Sequence, residues 1–441
     1  MHDTDPATGA SGDLAIDIAG LTRVEGEGSL RLKVRDGVVE QAQLQIFEAP
    51  RYFERLVVGR TPDEVIDIVA RICGICPVAY QMTAVHAFEH GLGISIDPAV
   101  RILRRLLYCG EWIESHALHV YLLHLPDFLG YASALELAHD RRATVEAGLS
   151  LKKAGNQIVA LIGGRAIHPV SVRVGGFSRS FRRSEIKALR GPLTAALEVA
   201  LQTVDLVAAL DTPRFERRGP LVALRHPTEY PMNEGRIVSS DGLDVAAPAW
   251  RDEFREQQVG WSNALQSRDH ADRPYLLGPM ARISLSGDRL HPTAAMALAR
   301  TGLAGEIAVN PYRSIVARAI ELVDATAEAL DLIEAYEPPA EPGVPWRPGP
   351  ASAAWATEAP RGLIFHAYEL DQEGLVRQAQ IVPPTSQNQA AIEADLAAFA
   401  PSVLDLPHEQ TTLRIEQLIR SYDPCISCAT HFLDLSVETI R

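Results

Sequence analysis

The sequence predicts a helix-dominated α+β fold. Three observations predict it. Ala- and Leu-rich stretches repeat their apolar residues at helical spacing, shorter alternating stretches lie near the two ends, and no clean linker divides the 441 residues. Hydrophobic residues make up 47% and charged residues 22%, which excludes a disordered chain and a coiled coil. A formal net charge of −14 argues against a nucleic-acid partner, because neutralising phosphates needs a basic face.

The elements follow in order. Residues 13–48 alternate apolar and polar (Leu30, Leu32, Val34; Leu44, Ile46), with Asp36-Gly37 between two runs, and predict an antiparallel hairpin. Thr61-Pro62-Asp63-Glu64 is a capping box with proline at the first helical position, opening a helix that runs into Cys73. The stretch from Pro98 to about Ala160 reads as helical, and Gly163-Gly164 with the run Val170 to Phe177 ends it. Residues 184–212 and 293–335 predict further helices, and 215–290 irregular short strands and loops. Residues 337–350 hold six prolines and predict a surface loop. A strand pair is expected at 362–382, around Asp371-Gln372-Glu373-Gly374, then a helix from Leu413 to Tyr422. The expected organisation is one domain over 1–431: a β region (13–60), a mainly helical body (61–335), a Pro-rich loop (336–361), and a strand pair with a metal-binding helix (362–431). A short tail, 432–441, follows.

Two negative readings accompany this. No run approaches the roughly 18–20 apolar residues that span a bilayer. Met1 to Ala10 carry acids where a secretory leader would be basic and then apolar, so a cytoplasmic location is expected.

Five cysteines do not make a disulfide scaffold at this length. Four form two Cys-x-x-Cys pairs, Cys73/Cys76 and Cys425/Cys428, near opposite ends. The fifth, Cys109, reads as a small buried residue in a helix. Two pairs in one chain suggest four thiolates on one metal, and four sulfurs select zinc, an iron–sulfur cluster or another thiophilic metal. Spacing alone ranks a structural zinc knot first. Against it stand the long buried elements beside both pairs and the further ligand-type residue His431, three positions after Cys428.

The run Arg71-Ile72-Cys73-Gly74-Ile75-Cys76-Pro77 resembles the first signature of nickel–iron hydrogenase large subunits. Asp423-Pro424-Cys425, with Cys428 and His431, resembles the second. The resemblance extends to Arg23-Val24-Glu25-Gly26, Ala359-Pro360-Arg361-Gly362 and Val382-Pro383-Pro384-Thr385, in family order over essentially the whole chain. The short chain, Pro77 and Ser427-Cys428-Ala429-Thr430-His431 look most like the cytoplasmic, multimeric, NAD(P)-linked members. The resemblance implies a buried bundle of long helices with peripheral antiparallel sheets.

It also implies roles. All four cysteines would bind nickel, with Cys76 and Cys428 bridging to an iron that carries carbonyl and cyanide ligands. Heterolytic cleavage of dihydrogen needs a Lewis acid and a nearby base, and Cys425 is the candidate base. Glu25 matches the proton-relay carboxylate. Arg361 matches an arginine over the open face of the metals, its charge permanent at any working pH, with Asp423 pinning it through a two-point carboxylate contact. Pro360, Pro384 and Thr385 match positions around the iron ligands, Thr385 as a donor to cyanide. Glu54, His431 and the carbonyl of Ile381 match ligands of a magnesium ion. His116 and His168 read as satisfied structural histidines.

Two positions depart from the family pattern. Tyr80 stands where many relatives place a histidine, so a hydrogen bond to the bridging sulfur must come from a phenol. Ser115 stands where many have an aspartate, so Arg361 is expected to be held less firmly.

Only Cys109 remains beyond the four ligands, so electrons are expected to leave through an iron–sulfur small subunit, then through flavin-bearing, NAD(P)-binding diaphorase subunits. No Gly-x-Gly-x-x-Gly occurs in this chain. Nickel-insertion factors and a maturation endopeptidase cutting His431–Phe432 are further expected partners. The rival readings are a hydrogen-sensing subunit on the same site and a zinc-stapled, non-catalytic subunit of an electron-transfer complex.

Overall fold

The computed structural model describes residues 14–18, 20–35, 38–47 and 52–430. The tail, His431 and the turn residues Asp36-Gly37 lie outside them.

The N-terminal sheet has three antiparallel strands: β1 (Leu14–Ile18), β2 (Gly28–Arg35) and β3 (Val38–Ile46). The expected hairpin is β2–β3, with Leu30 opposite Leu44, and β1 adds a strand. Two short helices follow, α1 (Phe53–Leu56) and α2 (Pro62–Val69). Thr61 caps α2 as expected: its hydroxyl accepts from the Glu64 amide while the Glu64 carboxylate accepts from the Thr61 amide.

The body is a bundle around long helices: α3 (Pro77–Leu92), α4 (Pro98–Leu118), then α5 (Leu125–Leu129), α6 (Ala134–Asp140) and α7 (Arg142–Gly163). The stretch from 98 to 160, expected as one helical run, is broken. A π-helical turn at His119–His124 and a left-handed Gly130 redirect it, so α7 returns antiparallel against α4. Glycine permits that contact, because a Cβ on Gly155 would lie 2.5 Å from the Gly110 carbonyl oxygen.

A two-stranded ribbon, β4 (Val172–Arg173) and β5 (Gly176–Phe177), precedes α8 (Arg183–Lys187) and α9 (Arg190–Ala208). The region expected to be irregular contains a three-stranded sheet of β6 (Val222–Arg225), β7 (Arg236–Ser239) and β8 (Asp244–Ala246). It also holds α10 (Trp250–Glu253), the pair β9 (Phe254–Gln257) and β10 (Gln266–Asp269), and a buried helix, α11 (Pro279–Ser286). The helix expected at 293–335 is three: α12 (Pro292–Thr301), α13 (Ala304–Val309) and α14 (Ser314–Ala335). Gly302 stops the first, and Pro311 separates the second from the third.

The expected Pro-rich loop is correct only up to residue 350. Residues 351–359 form a strand, because they pair along their whole length with 362–370 and are buried without a break from Ala356 onward. Strands β11 (Ala351–Ala359), β12 (Gly362–Leu370) and β13 (Val376–Val382) make an antiparallel meander covered by α3. Helices α15 (Pro384–Phe399), α16 (His408–Ser421) and the single turn α17 (Ile426–Ala429) complete the chain. No helix of the described residues is long and apolar enough to cross a membrane.

Candidate metal centre

Local sequence explains how each sulfur is presented. Helix α2 and a 3-10 turn at Ala70–Ile72 deliver Cys73. Cys76 is the N-cap residue of α3, where Pro77 occupies the first turn without wasting a donor. The Glu111 carboxylate on α4 accepts from the amides of Val78 and Ala79, capping α3 from a neighbouring helix. At the other end α16 delivers Cys425, which begins α17.

The two pairs meet in the core. All four sulfurs lie within 4.8 Å of one another, and the four residues are 1–4% exposed. Cys73 Sγ is 3.6 Å from Cys425 Sγ and Cys76 Sγ is 3.9 Å from Cys428 Sγ. The Cys73 sulfur accepts the amides of Ile75 and Cys76 at 3.3 and 3.2 Å. Burial opposes its ionisation, but hydrogen bonds from the neighbouring thiols hold Cys73 well below the ordinary thiol range. Burial pushes Cys425 well above that range, and Cys428 also upward. Four thiolates are therefore untenable here without a bound cation, and four soft donors in a dry pocket suit a thiophilic metal.

Glu25 reaches the same place from the loop before β2. It forms an isolated parallel bridge with Cys425, and its carbonyl accepts the Ile426 amide at 2.8 Å. Its carboxylate Oε2 accepts from Cys425 Sγ at 3.0 Å and from the Ser427 amide at 3.1 Å.

Arg361 sits at the tip of a two-residue hairpin. Ala359 pairs with Gly362, leaving Pro360 and Arg361 as the loop. Gly362 has φ +134 and abuts Leu277, where a Cβ would approach that residue's Cβ to 2.5 Å. The guanidinium donates through Nε to the Asp423 carbonyl at 2.8 Å and through Nη2 to Asp423 Oδ1 at 3.0 Å. The two-point contact expected through the carboxylate is thus shared between carboxylate and backbone. The reason is the left-handed backbone of Asp423, φ 54, which turns its carbonyl toward Arg361. Arg361 Nη1 is buried with no partner among the described residues, as is Ser115 Oγ. Burial opposes the Arg361 charge, yet Asp423 and the thiols hold its guanidinium well above its usual value.

The sequence reading missed what holds that hairpin. Arg282, buried on α11, donates to the carbonyls of Ala359 and Pro360, both at 2.9 Å. It also pairs with both Glu321 oxygens at 2.7 and 2.8 Å and with Glu358 at 2.9 Å, and lies 4.3 Å above the Trp112 ring. Burial raises Glu358 to about 7; it would raise Glu321 too, but attraction to Arg282 holds Glu321 at about 2. A second buried arginine, Arg318, has Nε 3.8 Å from Asp423 Oδ2, and burial lowers it to about 10. The available signal was a set of charges on α14 (Arg318, Glu321, Asp324) in a stretch otherwise apolar on all sides.

Thr385 lies in the first turn of α15, and its hydroxyl accepts the Cys425 amide at 2.9 Å while keeping its own proton for another acceptor. Pro384 begins α15. Glu54 Oε1 accepts from the amide of Ile381 at 2.7 Å, beside a cavity of about 30 Å³ that Cys428 and Thr430 also line. His431 lies outside the described residues. His116 Nε2 is 2.9 Å from Glu321 Oε2, and His168 Nδ1 is 2.7 Å from the Ala70 carbonyl. Cys109 is fully buried in α4.

The chain matches a family model described as nickel-dependent hydrogenase over residues 51–153 and 261–431. It is 32% identical over 429 residues to the alpha chain of sulfhydrogenase 1 from Pyrococcus furiosus, covering 96% of this chain and 99% of that one. It is 27% identical over 460 residues to the alpha chain of the coenzyme F420 hydrogenase from Methanosarcina barkeri, covering 96% and 97%. Among solved structures, an NAD+-reducing NiFe-hydrogenase in the H2-reduced state matches with TM-score 0.86 and 28% identity, over 95% of this chain and 99% of that one. A Ni-Fe-Se hydrogenase from D. vulgaris Hildenborough, 22% identical with TM-score 0.79 over 95% of this chain and 100% of that one, shares the fold.

Proposed function

We propose that this chain, which belongs to the nickel-dependent hydrogenase family, is the catalytic large subunit that interconverts dihydrogen with two protons and two electrons. The observation that carries the reading is the four-sulfur cluster with Glu25 against Cys425. Cys73, Cys76, Cys425 and Cys428 would hold the metals, with carbonyl and cyanide on the iron. When bound, such a centre supplies the Lewis-acidic metal pair at which dihydrogen splits heterolytically.

The chain's own groups do the rest. Cys425 Sγ takes up the proton, and Glu25 Oε2, 3.0 Å away, receives it. The Ser427 amide and the Glu25–Cys425 bridge keep that distance short. Arg361 provides a fixed positive charge in a water-poor pocket, with Nη1 available to an anionic group. The Thr385 hydroxyl donates to a cyanide from the first turn of α15, where the helix dipole also favours an anion.

In this reading Glu54, the Ile381 carbonyl and His431 would hold a magnesium ion, for which the cavity lined by Glu54 and Ile381 offers the place. Electrons leave to an iron–sulfur small subunit, then pass through diaphorase subunits to NAD(P), in the cytoplasm. The NAD+-reducing structural relative supports the acceptor, and a single cysteine beyond the four ligands, too few to hold a cluster, supports the need for a partner. Metal analysis tests the reading. One nickel and one iron per chain, with infrared bands from cyanide and carbonyl, are expected; zinc alone, with no such bands, overturns it.

A further inference from the structure

For Glu25 to meet Cys425, two distant segments must be held together: the loop before β2 and the link between α16 and α17. Each carries an arginine a few residues from the group concerned. Arg23 stands two positions before Glu25, in a left-handed backbone conformation with φ 57, and Arg420 stands five before Cys425, in the last turn of α16. Both meet one carboxylate, Asp127 of α5, whose side chain is fully buried.

The contacts are specific. Arg420 donates to Asp127 twice, Nε to Oδ2 at 2.7 Å and Nη2 to Oδ1 at 3.0 Å. Arg23 donates through Nη2 to Asp127 Oδ1, and through Nη1 at 3.0 Å to the Leu123 carbonyl in the π-helical turn. Arg420 Nη1 also crosses to the Thr22 carbonyl at 3.1 Å, and the Gln417 side chain donates to the Asp127 carbonyl at 3.2 Å. The loop is closed at its base by the Leu21 amide on the Gly28 carbonyl, 2.9 Å.

The charges explain why a carboxylate belongs there. Burial, and next the charge of Arg420, pull Arg23 below its usual value, and Asp127 works against both. Without that carboxylate two guanidiniums face each other in a water-poor region, with Glu416, 3.3 Å from Arg420 Nη1, left as counter-charge to Arg420 alone. Arg23 is the more exposed partner, its side chain 13% exposed against 1%, so it is the one free to swing out. The Glu25 loop then loses its anchor while Cys425 stays with α16.

We propose that Asp127 is a positioning residue for proton transfer: through Arg23 and Arg420 it fixes the distance between the Glu25 carboxylate and the Cys425 sulfur. That contact is 3.0 Å, and proton transfer between such groups needs about 2.6–3.2 Å. This rests on the relay proposed above.

The test uses the purified, metal-loaded complex carrying Asp127→Asn, Arg23→Gln or both, with nickel and iron content measured alongside and Glu25→Gln as the reference. In Asp127→Asn, hydrogen uptake and hydrogen–deuterium exchange with water should fall by about 100-fold, the cost of an ångström-scale misplacement, while para- to ortho-hydrogen conversion continues. The second readout is backbone amide exchange by mass spectrometry. The Ile426 and Ser427 amides, which donate to Glu25, should exchange faster in both single variants. The Val78 and Ala79 amides, capped by Glu111, should keep their wild-type rates. The double variant should go little further than Asp127→Asn, because both changes break one cluster. Arg23→Lys, which returns a cation to Asp127, should recover part of both readouts. Should Asp127→Asn fail to fold, Arg23→Gln, at the more exposed end of the cluster, carries the test. The proposal fails if the Ile426 and Ser427 amides keep their wild-type rates, or if para- to ortho-hydrogen conversion falls in step with uptake. It fails equally if no variant loads nickel, which would make the cluster a folding device. If Glu25→Gln itself leaves exchange with water intact, the relay falls and takes this proposal with it, and the reference variant makes that failure recognisable.

Discussion

Cys425 Sγ and Glu25 Oε2 are 3.0 Å apart, although 400 positions separate them in the chain. The bridge between their backbones locks the contact, and the amide of Ser427 fixes the carboxylate from the far side. A thiol and a carboxylate so held can exchange a proton without either moving far.

Cys425→Ser should abolish hydrogen turnover in a chain that still folds. The alkoxide is a hard, strongly basic ligand in place of a soft one. Activity assays with metal content and circular dichroism check this; full turnover with nickel bound would remove Cys425 from its role.

Glu25→Gln should separate two steps. The glutamine oxygen still accepts the Ser427 amide, so the loop stays in place, but the side chain no longer carries a proton. Hydrogen uptake and hydrogen–deuterium exchange with water should be lost, while conversion of para- to ortho-hydrogen at the metals persists. Loss of both, with metals intact, would make Glu25 structural.

Arg361→Lys keeps the charge and removes the planar fork. A lysine cannot reproduce the donation to both the Asp423 carbonyl and its carboxylate. Turnover should fall by at least ~100-fold, the low end for one positioned catalytic group. Near-normal rates would show that the open face of the site is lined by another group.

Glu321 and Arg282 give a prediction on stability. Glu321 sits at about 2 when folded, against an ordinary 4.5, because the pull of Arg282 outweighs burial. The folded value is the lower one, so this contribution is complete above pH 4.5 and lost as pH falls through about 2. Glu321→Gln should destabilise the chain by roughly 3 kcal/mol, what the fall from 4.5 to about 2 is worth, with Arg282 keeping Glu358 as its carboxylate partner. Denaturant unfolding at neutral pH measures the difference. On lowering the pH from 4.5 toward 2, the gap between wild type and variant should close.

The tail beyond His431 gives a prediction on maturation. In the proposed maturation an uncut tail would hold Cys425 and Cys428, both buried in the finished core, out of the site while metals enter. The expected cut is at His431–Phe432, and intact mass of active enzyme should then report a chain ending at His431. The alternative is a permanent strand, for which the alternation Leu433-Asp434-Leu435-Ser436-Val437-Glu438 is the pattern; full activity with Arg441 still attached would show it.

Some of this was legible in the sequence for a plain reason. Caps, prolines and period-two alternation act over a few residues, so α2 and the β2–β3 hairpin were readable. The Cys-x-x-Cys pairs and the short motifs around Glu25 and Arg361 are likewise local. The breaks within 98–160 and 293–335, and the strand from Ala351 to Ala359, were not readable in the same way. There the tertiary partner decides whether an apolar stretch continues, turns or pairs.

The amino-acid sequence by itself determined the chemistry of this protein: which sulfurs and which carboxylate are present, and that one spare cysteine cannot hold a cluster. Only the tertiary structure decided how those groups are held. Arg282 supports the Arg361 hairpin from 78 residues away through the Pro360 carbonyl, Asp423 meets Arg361 with its backbone as well as its carboxylate, and Asp127 joins Arg23 to Arg420. None of these contacts leaves a local pattern. Each pairs single residues brought together by burying helices and strands that are distant in the chain.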